Sequence, residues 1–183
     1  MRVKAVAALT CAGAVFCLAM QAAGATAGEL QRWSGGQQPA FSLPTIGGAT
    51  AALETVRGHA VLVHFFATWC EPCREELPAL NRLAARAGGN VTVLAIAVAD
   101  ADRSVQHFFA TVPVDFPVLL DRDRTVAKAW NVATLPTTFV LDRSLQPKFV
   151  VESDFAWDTI DPGKLTSSSA LDAGNSIKDA SNR

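Results

Sequence analysis

The stretch Phe65-Phe66-Ala67-Thr68-Trp69-Cys70-Glu71-Pro72-Cys73 decides the reading of this chain. An apolar run ends in two cysteines separated by two residues. Thiols at this spacing close a small disulfide with little backbone movement when the first sits just before a helix and the second lies in its first turn. Pro72 suits that geometry, because a proline there gives up an N–H that has no helical partner. A thiolate at a helix N-terminus is stabilised by unpaired backbone N–H groups and by the positive end of the helix dipole, which lowers its pKa. Cys70 is the expected nucleophile, and Cys73, one turn deeper, is the expected resolving thiol. A half zinc site is the structural alternative. It would need two further ligands, and the sequence has no second Cys-x2-Cys and no His-x3-His.

Working outward, Ala60 to Phe66 is almost wholly apolar and rich in Val and Phe, as expected of a central parallel strand covered on both faces. Beyond the cysteines, Leu77, Leu80, Leu83 and Ala84 recur at helical spacing up to a stop at Gly88-Gly89. Pro78 lies inside that helix and is expected to kink it. Strands are expected at 91–98, 116–120, 138–142 and 148–152, the last two as a hairpin, with helices at 103–110 and 125–130. An edge strand is expected near Phe41 to Pro44. Strands alternating with helices, followed by a final hairpin, predict an α/β sandwich around a mixed sheet.

At 183 residues and a formal net charge of −1, the chain predicts one domain with no basic stripe for nucleic acid. Residues 1–27 carry Arg2 and Lys4, then an uncharged apolar run ending in Ala25-Thr26-Ala27, the pattern of a signal peptide cleaved before Gly28. An uncleaved membrane anchor is the alternative. The expected location is periplasmic or otherwise extracytoplasmic, soluble after cleavage and membrane-anchored if the segment is retained. Cleavage takes the net charge from −1 to −3 and removes Cys11 and Cys17, leaving Cys70 and Cys73 as the only thiols. An exported chain with one cysteine pair carries a working dithiol rather than a disulfide-stapled scaffold. Residues 28–40 are polar and Gly-rich and are expected to form a spacer, 41–165 the domain, and 166–183 a polar tail with at most a weak helix.

Several segments in order resemble the thioredoxin-like thiol-disulfide oxidoreductases of the TlpA/ResA type. They are Gly58, Ala67-Thr68, Trp69-Cys70-Glu71-Pro72-Cys73, Glu76-Leu77-Pro78, Phe116-Pro117-Val118-Leu119-Leu120-Asp121 and Leu135-Pro136-Thr137-Thr138-Phe139. The resemblance spans Phe41 to Trp157. It implies a thioredoxin-like sandwich, a central mixed β-sheet flanked by helices with the TlpA/ResA-type central insert near 100–116. It also implies a cis Pro136 beside the cysteines, where neighbouring backbone pairs with the substrate as an added strand. Trp69 and Leu135 are then expected to bind substrate with Pro136. The activity implied is reduction of specific protein disulfides, those of apocytochrome c or of a copper-oxidase subunit. The family further implies a membrane electron donor of the DsbD or CcdA type.

Glu76 matches a family glutamate, and a carboxylate half-covered by the helix could exchange a proton with Cys73. The plain alternative is a solvated helix-face charge. His64 departs from the family, which commonly has Asn there. It is either a proton relay for Cys73 near physiological pH or a core histidine satisfied by its neighbours. Trp130 and Trp157 are expected to be packing residues, and His59 and His107 to be solvated. No cofactor or metal is called for. The rival functions are a copper-binding metallochaperone using the cysteines and a histidine, and a general disulfide oxidant or isomerase. Without a stretch for a helical lid or dimerisation segment, narrow specificity and a monomer are expected.

Overall fold

The computed structural model describes residues 28–167; the expected signal peptide, and all but the first two residues of the expected tail, lie outside the described residues. The sheet grows from β4 (Ala60–Phe66), whose seven side chains are all buried. Successive side chains of a strand point to opposite faces. Leu62 and Phe66 therefore enter one apolar cluster, and Val61, Val63 and Phe65 enter the other. A strand apolar on both faces must be covered on both, and its neighbours supply the cover. β5 (Val91–Val98) runs parallel to β4, with β6 (Val118–Asp121) parallel beyond it. On the other side lie β7 (Thr137–Leu141), antiparallel to β4, and β8 (Pro147–Val151), antiparallel to β7. β1 (Gln31–Arg32) closes that edge, and the order is β1-β8-β7-β4-β5-β6.

Helices α1 (Glu71–Arg86), α2 (Asp102–Thr111) and α4 (Pro162–Thr166) pack on one face through Leu77, Leu80, Leu83, Val105, Phe108, Phe109 and Leu165. The other face is covered by α3 (Thr125–Ala129), Trp130, Phe41 and Leu53. A separate hairpin, β2 (Ser42–Pro44) with β3 (Thr50–Ala52), lies beyond. This is the α/β sandwich with a central mixed sheet and a 100–116 insert, here α2, that the resemblance implied. α1 continues through Pro78 as one helix of 16 residues. Proline has no N–H to give, so the Arg74 carbonyl receives no helical bond from it.

Within the stretch 28–40, expected as a spacer, Gln31–Arg32 form an edge strand of the sheet. Gln31 pairs with Val150 and Arg32 with Phe149, Leu30 and Gln38 are buried, and the Trp33 ring stands 5.3 Å from that of Phe139. The physical reason is the exposed edge that β8 would otherwise present; two paired residues with an apolar anchor on each side cover it. A strand this short leaves no alternation to read in the sequence.

Candidate redox site

The C-terminal end of β4 delivers the chain to the N-terminus of α1 at the centre of the sheet. Cys70 is the N-cap of that helix; its N–H donates to the Ala67 carbonyl at 3.1 Å and its own carbonyl accepts from the Arg74 N–H at 3.2 Å. Cys73 lies in the first turn. The two form a disulfide with S–S 2.02 Å and Cα–Cα 5.3 Å. Cys70 retains 7% exposure and Cys73 none, so a partner reaches the disulfide through Cys70.

The rim comes from three separate loops. Trp69 is 70% exposed, against the rule for a large apolar ring. Thr68 before it is held by Asp100, whose Oδ2 accepts from the Thr68 N–H at 2.6 Å and from its hydroxyl at 2.7 Å. The Leu135–Pro136 peptide is cis, Pro136 is buried and Leu135 half-buried. Thr137 and Thr134 brace this loop, donating to the carbonyls of Thr134 at 2.8 Å and Glu152 at 3.1 Å. Trp69 and Leu135 face each other across a cavity of about 210 Å³ that Val98, Ala99, Arg124 and Val132 also line. Ala99 (φ 49°) and Arg124 (φ 63°) have left-handed backbone, a conformation costly for residues other than glycine and frequent at binding sites.

Glu76 is buried behind the cysteines, one turn along α1 from Cys73, and not a solvated helix-face charge. Its Oε1 accepts a hydrogen bond from the Trp157 indole N–H, and its Oε2 has no partner. Burial pushes its pKa up to about 8, the Trp157 hydrogen bond opposes this, Asp154 adds to the rise, and the Phe155 backbone opposes it. Its carboxyl thus titrates in the range where thiols do.

His64 shares its β4 face with Leu62 and Phe66 by strand parity, which is the α1 face. It is fully buried, its Nδ1 hydrogen-bonds the Thr138 hydroxyl at 2.9 Å, its ring stacks on Phe66, and Nε2 has no partner. Burial lowers its pKa to about 3. With the disulfide closed the imidazole is neutral, and so weak a base does not take a proton near physiological pH. Nδ1 thus has a partner within the core, and Nε2 has none.

The structure places Trp69 on the surface with Leu135 half-buried across the cavity from it, Cys70 and Pro136 just below, and Cys73 and Glu76 deeper, while the hydrogen bond of His64 goes to Thr138. Asp100, Arg124 and Trp157 are site neighbours that the sequence reading did not assign. The signal for Trp157 was available in principle: a buried indole N–H needs an acceptor. Among the described residues no group of three or more His, Cys, Asp or Glu is placed to hold a metal ion, and no helix is long and apolar enough to cross a membrane.

Residues 34–146 match the AhpC/TSA family, more than half of the chain. The chain is 38% identical over 111 residues to the thioredoxin-like protein YneN of Bacillus subtilis, covering 59% of this chain and 65% of that one. It is 33% identical over 128 residues to the thiol-disulfide oxidoreductase ResA of Geobacillus kaustophilus, covering 69% of this chain and 74% of that one. The matched stretch thus spans about two thirds of the length of such relatives. Among solved structures, a secreted Mycobacterium tuberculosis disulfide oxidoreductase homologous to Escherichia coli DsbE superposes with a TM-score of 0.58 at 26% identity, over 73% of this chain and 95% of that one.

Proposed function

The chain belongs to the AhpC/TSA family, and from its site and its likeness to ResA we propose that this thiol-disulfide oxidoreductase reduces specific protein disulfides outside the cytoplasm. The observation that carries the reading is the disulfide itself, with Cys70 reachable at a helix N-terminus and Cys73 enclosed. Charge stabilisation at the N-cap favours Cys70 as the attacking thiolate. In the dithiol form its thiolate attacks one sulphur of a substrate disulfide, forming a mixed disulfide and releasing the other substrate sulphur as a thiolate. Cys73 then gives its proton to the Glu76 carboxylate, and the Cys73 thiolate attacks the Cys70 sulphur. The Cys70–Cys73 disulfide closes, the second substrate thiolate leaves and is protonated by solvent, and two electrons have passed to the substrate.

Trp69, Leu135 and Pro136 hold the substrate as an extended segment across the cysteine pair. The apolar cavity between Trp69 and Leu135 supports this role, since it gives a side chain of the substrate somewhere to go. By kinship with ResA, the substrates are apocytochrome c or a copper-oxidase subunit, and a membrane donor of the DsbD or CcdA type restores the dithiol. The export pattern at 1–27 and the secreted structural relative support the extracytoplasmic location. Cys73→Ser removes the resolving thiol and leaves the attack intact, so mixed disulfides should accumulate on Cys70 in cells expressing it. Isolation and identification of the trapped protein names the substrate; absence of any trapped protein, with Cys70 intact, counts against exchange with proteins.

A further inference from the structure

Trp157 is fully buried at the head of the short 3-10 turn Trp157–Thr159. This turn is tied to α1 from outside. Arg82 makes a two-pronged pair with Asp158 at 3.1 and 2.6 Å, and Arg86 donates to the carbonyls of Trp157, Asp158 and Ile160 at 3.3–3.4 Å. Phe155 packs against the indole with ring centroids 4.8 Å apart. Inside this frame the indole N–H meets Glu76 Oε1, while Oε2 stays buried without a partner. A buried indole needs an acceptor and a buried carboxyl needs a donor. Each supplies half of what the other requires, and α1 carries on one helix the resolving thiol, the acid and the arginines that hold the acid's partner.

We propose that Trp157 is a positioning residue for thiol-disulfide exchange: its N–H engages Oε1 of Glu76 and leaves Oε2 as the oxygen that takes the proton of Cys73. The inference rests on the reading of Glu76 as that acceptor. An indole hydrogen bond stabilises the ionised carboxylate more than the neutral acid, so it also lowers the pKa that burial raises and keeps Glu76 available as the proton-accepting carboxylate in a buried place. The other groups facing the carboxyl are Asp154, which opposes ionisation, and the Phe155 backbone, which favours it. His64, on the α1 face of the sheet, is neutral in the disulfide form.

The test is the pH dependence of release of a reduced peptide, in a single turnover of reduced protein with a disulfide-bearing model peptide. For the unaltered protein, release rises with pH through a midpoint of about 8, and Glu76→Gln abolishes that limb. Trp157→Phe keeps the packing and removes the donor; it should move the limb upward by on the order of one pH unit. The double variant should behave as Glu76→Gln alone. A second readout needs no substitution of the tryptophan: the Trp157 indole N–H resonance of the unaltered protein should titrate with Glu76, and should lose that titration in Glu76→Gln. Loss of the limb in Glu76→Gln, together with a Trp157→Phe profile unchanged from the unaltered protein or an indole resonance that does not titrate, overturns the positioning role and leaves the acid its own. A limb that survives Glu76→Gln overturns the proton-acceptor reading, and the positioning role falls with it.

Discussion

His64 titrates at 6.5 in an unfolded chain and at about 3 in its buried place on β4, so between those values only the unfolded state binds its proton. Folding stability therefore falls as pH drops through this window, by about 1.4 kcal/mol per pH unit. Glu76 acts in the opposite sense. Its carboxyl goes from 4.5 to about 8 on folding, so between those values only the folded state holds its proton, and stability falls as pH rises. From 4.5 to 6.5 the two slopes oppose each other. The unaltered protein should lose stability relative to His64→Asn between pH 7 and pH 4.5, on the order of 2–3 kcal/mol by denaturant unfolding. It should likewise lose stability relative to Glu76→Gln between pH 5 and pH 8. A pH-independent difference in either pair contradicts the burial account of that residue. The cysteine pair was legible at this scale because spacing, Pro72 and the strand before it are all local. The orphaned Nε2 of His64 was not, since it depends on Thr138, 74 residues away.

The elements most visible in the sequence were those with a full period of pattern. β4, β5 and α1 lie within a residue of their expected ends because each buries a long apolar face. The elements that escaped are short and defined by their partners. β1 is two residues long, and only the open edge of β8 explains it. The turn before β8 has no Asn-Gly or Asp-Gly pair, yet Asp142 Oδ1 accepts from the N–H groups of Ser144 and Gln146 at 2.8 and 2.9 Å. Leu145 takes the left-handed position at φ 63° with its side chain buried. Burial of that leucine replaces the conformational freedom a glycine would have supplied. β1 also yields a measurable expectation. A chain beginning at residue 41 loses buried Leu30 and the cover over β8, and should be less stable than one beginning at 28 by on the order of 2–4 kcal/mol. Equal denaturation midpoints for the two would restore the spacer reading of 28–40.

At the scale of the whole molecule, the sheet places every part of the site at one end. β4 brings the cysteines, β5 ends at Val98, Ala99 and the Asp100 that secures Thr68, and β7 begins at the Pro136 loop. The fold class was legible because alternating strands and helices leave few ways to close a mixed sheet. The residues behind the cysteines were not, because Trp157 reaches Glu76 across 81 positions and no motif marks the pair. The fold serves oxidation and reduction alike, since one disulfide exchanges electrons in either direction according to its potential. The claim that this chain works as a reductant is therefore tested most directly by the redox equilibrium of Cys70–Cys73 in the purified protein against reference dithiols of known potential. The account predicts a potential more negative than that of protein disulfide isomerase, about −180 mV. A value less negative than that, towards the about −120 mV of a strong oxidant, would contradict it.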